Sequence, residues 1–410
     1  MAFLDSLVSD RLGGSSFFTG NKKLYKFEKI KKLTKEAKLS NPNINLIDMS
    51  VGEPDRMADE SIVDILNFEA RKPENRYYAD NGIVEFQESA CRYMHNVYNI
   101  DGLISDNIMH GIGSKSILSI LPMCFINPGD ISLVPVPSYP TLASYTRFLG
   151  GEVYTLPLCE FNDFYPVLED IPCDVLKRTK MLYLNYPNNP TGQVATYEFY
   201  KYVVDFAKKN NILIVCDAAY GNLVYDNYKP FSIFSVDGAM DTCVEIHSLS
   251  KSFNMTGWRL AFLVGNKKVI KLYSTMKSHA DSGQFRAIQL AGAYALDNYN
   301  LVDTNVIRYS RRLDLLVKAL REVGFDAKKP KGGFYVYVPM PKGVKNGIIF
   351  ENADDASLYI LSTALVSTIS WDDCGGFLRF SATFDADTVE DEIKVIDELK
   401  RRLISLNLEF

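Results

Sequence analysis

The sequence has little that would build a metal centre, a disulfide framework or a membrane anchor. Its 410 residues include only 4 histidines, widely scattered, so no His-rich metal site is expected. The 7 cysteines are odd in number and none forms a C-x-x-C pair. Several fall in apolar runs, so they read as reduced core residues of a cytoplasmic protein. No apolar run approaches the roughly 20 residues that span a bilayer. Residues 1–9 carry Asp5 and lack an Arg-rich or signal-like pattern, so no targeting segment is expected. Lys plus Arg number 45 against 50 Asp plus Glu, a net charge of -5. That balance argues against nucleic acid or an anionic membrane as partner. No internal repeat or low-complexity segment is visible.

What is present suits a large folded protein. The chain is 47% apolar and 12% aromatic, enough for a sizeable core. Its length suggests two to three domains, or one large domain with a satellite. Apolar spacing predicts helices over 25–40, 60–70 and 83–98. A strand, a Gly-rich turn (Gly111-Ile112-Gly113-Ser114-Lys115) and a helix follow, and the free N–H groups of that helix start suit a phosphate. Further strands are predicted at 131–136, 181–185, 212–216, 243–247 and 260–264, with a helix at 196–210. These strands are continuously apolar, as in a sheet covered by helices on both faces. Helices follow at 268–280, 283–297 and 300–323. The remainder changes order: strand 332–338, helix 354–366, strand 377–381 and helix 387–405, a smaller α+β unit.

The polar residues Tyr139, Asn189, Asp217, Tyr220 and Lys251 fall at strand ends or in the loops just after them, where open sheets bind ligands. Lys251 is expected in a loop between two buried strands, within Ser248-Leu249-Ser250-Lys251. Loss of hydration there favours the neutral, nucleophilic amine. The hydroxyls of Ser248 and Ser250 and the guanidinium of Arg259 could hold a phosphate beside it. A nucleophilic lysine next to a phosphate site is what a pyridoxal phosphate (PLP) Schiff base requires.

In this order, Gly113-Ser114-Lys115, Tyr139, Asn189-Pro190-Thr191-Gly192, Asp217-x-x-Tyr220, Ser248-x-Ser250-Lys251, Arg259 and Arg379 resemble the PLP-dependent aminotransferases of fold type I. The resemblance covers almost the whole chain. It implies a large domain with a mostly parallel seven-stranded sheet flanked by helices, and a smaller α+β domain. The implied division is 1–50 as N-terminal arm and part of the small domain, 51–297 as the PLP-binding domain, and 298–410 as the small C-terminal domain. The implied roles are Lys251 as Schiff-base lysine and proton shuttle, Asp217 on the pyridinium nitrogen, and Tyr220 and Asn189 on the ring oxygen. Tyr139 would stack on the ring. Ser248, Ser250, Arg259, Gly113 and the N–H groups of Ser114 and Lys115 would hold the phosphate, with Tyr78 reaching over from a second subunit. Arg379, with Gly52 and Asn189, would bind the substrate carboxylate.

Within the family the sequence looks most like the LL-diaminopimelate aminotransferases. Tyr25, Tyr78 and Asp80 match segments that reach the partner's site in those enzymes, which implies a homodimer with composite sites. The implied reaction is ping-pong transfer between an amino acid and a 2-oxo acid, with 2-oxoglutarate and glutamate as second pair. A carbon–sulfur β-lyase and a non-enzymatic binding protein on the same scaffold stand as alternatives. Release of pyruvate and ammonia would mark the lyase.

Overall fold

The computed structural model describes residues 3–18 and 26–410. Its larger part is a sheet of β1 (Ile108–Gly111), β2 (Ile131–Val136), β3 (Glu152–Pro157), β4 (Thr179–Asn185), β5 (Leu213–Asp217), β6 (Cys243–Ser248) and β7 (Ala261–Gly265). Their spatial order is β1-β7-β6-β5-β4-β2-β3. All run one way except β7, which is antiparallel to both neighbours.

The continuous apolar strands have a plain cause. Alternate residues point to opposite faces, and helices cover both. Leu182, Leu184, Ile214 and Cys216 pack with Phe199, Val203 and Ala207 of the helix Tyr197–Asn210. Their neighbours Met181, Tyr183, Val215 and Ile246 pack with Ile117, Leu118 and Leu121 of the helix Gly113–Phe125. In the ladder Asn185 pairs with Asp217, and Asp217 with Ile246. The carboxyl ends of β4 and β5 are therefore level, β6 runs two residues further to Ser248, and their last polar residues lie along one rim.

The smaller part holds β8 (Tyr335–Pro339), β9 (Ile369–Trp371) and β10 (Phe377–Ser381), antiparallel in the order β9-β10-β8. The helices Ala353–Ala364 and Val389–Ser405 belong to it. The long helix Asp303–Val323 joins the parts through Arg312, which is fully buried. Arg312 bonds Glu392 and Asp55, each at 2.8 Å, and the carbonyls of Ala382 and Phe384. Paired on both sides and bonded to backbone, this buried cation also fixes the turn that begins at Gly52.

Two expectations are corrected. Lys251 is not in a loop but on a one-turn helix, Leu249–Ser252. Cys159 and Cys374 form a disulfide across 215 positions, tying the segment after β3 to the β9–β10 turn. Of the remaining cysteines only Cys216 and Cys243 are buried; Cys173 is exposed. The reduced-core reading thus fails for the disulfide pair and for Cys173. Finally, β3 and the helix Thr141–Phe148 were not anticipated. β3 is an edge strand with mostly exposed or half-buried residues, so it lacks the apolar run of the central strands. Among the described residues no helix is long and apolar enough to cross a membrane.

Candidate active site

At the end of β6 the Ser248 hydroxyl accepts the Ser250 N–H at 3.1 Å and caps the one-turn helix. A capping hydroxyl accepts, so its own hydrogen stays available to a ligand. Lys251 reaches back to the turn after residue 51, and Nζ donates to the Gly52 carbonyl at 2.6 Å. Burial pushes the Lys251 amine down to about 8, helped by Arg259 and Arg379 and opposed by Glu53. A neutral amine is thus accessible near neutral pH, the condition for attack on a carbonyl.

Beside it lies an anion cradle. Gly113 begins the helix Gly113–Phe125 with φ +72°, and a methyl group there would come 2.1 Å from Arg259 Nη2. Only glycine tolerates both the left-handed backbone and that approach. Arg259 is itself left-handed at φ 58°, and its Nη1 donates to the Thr256 carbonyl at 2.7 Å and reaches Ser250 Oγ at 3.5 Å. Ser114 Oγ is buried with no hydrogen-bond partner. An orphaned hydroxyl, a helix N-terminus and a guanidinium together fit a phosphate. Lys115 follows in the first turn with its side chain exposed.

Asp217 ends β5 and is 4% exposed. Its carboxylate accepts the Tyr183 O–H at 3.1 Å and the Ala219 N–H at 3.2 Å. Burial pushes its carboxyl up to about 6, while Tyr183, Ala219 and His247 pull it down. A cationic ring nitrogen set against it would restore the ionised form. The Asn185 amide donates to the Asp217 carbonyl at 2.7 Å, and its oxygen accepts the Asn189 N–H at 2.9 Å.

From the small part, Arg379 on β10 reaches across. Nη1 donates to Asn189 Oδ1 and Nη2 to the Ser50 carbonyl, both at 2.8 Å. Its guanidinium lies 3.9 Å from the centroid of the Tyr335 ring. The Tyr335 hydroxyl is 3.1 Å from that of Tyr220. Contacts therefore run from Lys251 through Gly52, Tyr335, Tyr220, Arg379 and Asn189 to Asn185 and Asp217. Tyr183, Asn185 and Tyr335 were not singled out from sequence. The one available signal for Tyr335 was a tyrosine in an apolar strand, whose hydroxyl must find a partner when buried.

The other expected residues are placed as follows. Tyr139 is half-buried just beyond β2 and packs on the cluster that includes Tyr183. Tyr78 is 84% exposed on this chain. Asp80 is exposed, and its carbonyl accepts from the buried Lys277 at 2.7 Å. Tyr25 lies outside the described residues.

The residues fit PLP on the structure's own terms: a depressed amine at Lys251, a helix N-terminus with the orphaned Ser114 hydroxyl beside Arg259, and the buried carboxylate of Asp217. A family model for aminotransferase class I and II matches residues 44–396. The LL-diaminopimelate aminotransferase of Methanocaldococcus jannaschii is 50% identical over 418 aligned residues, covering 100% of this chain and 99% of that protein. The Methanococcus maripaludis LL-diaminopimelate aminotransferase is 45% identical over 415, covering 100% and 99%. Among solved structures, substrate-bound BacF from Bacillus subtilis matches with a TM-score of 0.85 at 32% identity, covering 95% of this chain and 97% of that one.

Proposed function

The chain belongs to the class I and II aminotransferases, a PLP-dependent family, and from that premise we propose that it takes the amino group of LL-diaminopimelate and passes it to 2-oxoglutarate. The observation that carries this reading is the depressed amine of Lys251, lowered by burial and also by the nearby buried Arg379 that reaches across from the small sheet to Asn189. The donor's identity is supported by full-length relatives that bear that name.

When bound, PLP supplies an electron-withdrawing ring that stabilises negative charge at the substrate α-carbon. Arg259, Ser114, Ser248, Ser250 and the N–H groups after Gly113 hold the phosphate. Tyr139 would cover the ring face. Asp217 would keep the ring nitrogen protonated. Tyr220 and Asn189 would hydrogen-bond the ring oxygen. Arg379 orients the substrate by its α-carboxylate, alongside Gly52. Lys251 Nζ holds the cofactor and moves the proton at the α-carbon.

The assembly is a cytoplasmic homodimer. Tyr78 and Asp80 serve the partner's pocket, a role supported by the exposure of Tyr78 on its own chain. The chain divides at 1–50, 51–297 and 298–410, a reading supported by the pairing of Ile47–Asp48 with Val366–Ser367 of the small part. Amino donors assayed with 2-oxoglutarate test the function. LL-diaminopimelate should give the highest kcat/KM, and Asp80→Ala should lower it about tenfold while sparing glutamate, the value of one charge-assisted contact. Turnover of other donors with none of diaminopimelate would overturn the donor. Full activity as a monomer would overturn the composite site.

A further inference from the structure

Tyr335 makes more contacts than a buried tyrosine needs to satisfy its hydroxyl. It opens β8 and is 2% exposed. The two residues before Phe334 pin it to the large part: Gly332 N–H donates to the Gly192 carbonyl at 3.1 Å and Gly333 N–H to the Leu223 carbonyl at 2.8 Å. The hydroxyl then meets Tyr220 at 3.1 Å, and the ring face carries the Arg379 guanidinium at 3.9 Å. Space for it is made by Gly52, where a methyl group would fall 2.3 Å from the Tyr335 oxygen. The same Gly52 accepts Lys251.

A hydroxyl donates once and accepts twice. If Tyr335 donates to Tyr220, the Tyr220 hydrogen is left for a further acceptor. A cation over the ring draws electron density from the phenol and makes its O–H the better donor. The two ends of one side chain thus have separate tasks. The ring face orients the arginine that takes the α-carboxylate. The hydroxyl sets the proton direction at the tyrosine that faces the cofactor oxygen.

We propose that Tyr335 is a positioning residue of the transamination site, orienting Arg379 through its ring and Tyr220 through its hydroxyl. This rests on the placement of Tyr220 at the cofactor oxygen and Arg379 at the carboxylate.

The test compares cofactor-loaded Tyr335→Phe, Tyr335→Leu and Tyr220→Phe. One readout is the pH midpoint of the visible absorbance of the lysine-bound cofactor. The other is the Kd of glutarate, a dicarboxylate with no amino group to react. Tyr335→Phe keeps the ring. It should move the midpoint by about half a unit or more, in the same direction as Tyr220→Phe, as loss of one hydrogen bond implies. Its glutarate Kd should stay within about twofold, because the ring face is retained. Tyr335→Leu should move the midpoint likewise and weaken glutarate about fivefold or more. If Tyr220→Phe moves the midpoint and Tyr335→Phe does not, the proposal fails while the placement of Tyr220 stands. If Tyr220→Phe itself leaves the midpoint unmoved, that placement and the proposal fall together. Unchanged glutarate binding in Tyr335→Leu overturns the role of the ring.

Discussion

Arg379 donates to the side-chain oxygen of Asn189 at 2.8 Å, joining the small sheet to the loop after β4 across 190 positions. The guanidinium also bonds the Ser50 carbonyl at 2.8 Å and lies 3.9 Å from the centroid of the Tyr335 ring, so its orientation is set on several sides. Geometry as well as charge should therefore matter at this position. Arg379→Lys keeps the charge but loses the fork. We expect kcat/KM to fall about 10- to 100-fold, mostly through KM, as loss of a charge-assisted bond implies. Initial rates over a range of donor concentrations check this; unchanged KM would place the α-carboxylate elsewhere.

Lys251 should react like an amine with a pKa of about 8. Only the neutral form attacks an aldehyde, so PLP capture by the apoprotein should rise with pH and level off above that value. An ordinary exposed lysine would keep gaining toward 10.5. Stopped-flow absorbance from pH 6 to 10 measures the midpoint. A rate still climbing at the top of that range would show a solvated lysine.

Asp217 provides a pH signature with the opposite sense. Its folded carboxyl is raised to about 6 from 3.8, so between those values the folded apoprotein binds more protons than the unfolded chain. Its contribution to stability is fully present below the lower value and is lost as pH rises through the upper one. The change is on the order of 3 kcal/mol at most. Urea midpoints of the apoprotein should show this fall. Asp217→Asn, which cannot ionise, should lack it and should also lose about 100-fold or more in kcat, as removal of a preorganised electrostatic partner implies. A variant with the wild-type slope and rate would place Asp217 away from the ring nitrogen.

The Cys159–Cys374 bond leaves 5 free thiols. Alkylation of the denatured, unreduced protein should therefore modify five of seven cysteines, and prior reduction should expose the other two to the reagent. Intact mass reads the difference directly. In the chain-entropy account, closing so long a loop stabilises the fold by about 5 kcal/mol, so reduction should lower the unfolding temperature. Seven alkylations without reductant would rule the bond out.

Much of this protein is local and therefore legible in one dimension. Strands such as β2 (Ile131–Val136), β4, β5, β6 and β7 are buried on both faces, so continuous apolar residues mark them. Lys251 and Asp217 stand out because a charged residue beside such a run has few other reasons to be there. The edge strand β3 carries no such signal, since half of its surroundings are solvent. What only the tertiary structure decided are the meetings between distant segments. Tyr335 under Arg379, Gly113 against Arg259, and Cys159 with Cys374 each depend on how the small part sits on the large sheet, or on how loops cross its rim. No local spacing encodes those distances. They follow from packing, where a missing methyl at Gly52 or Gly113 admits a neighbour from far along the chain.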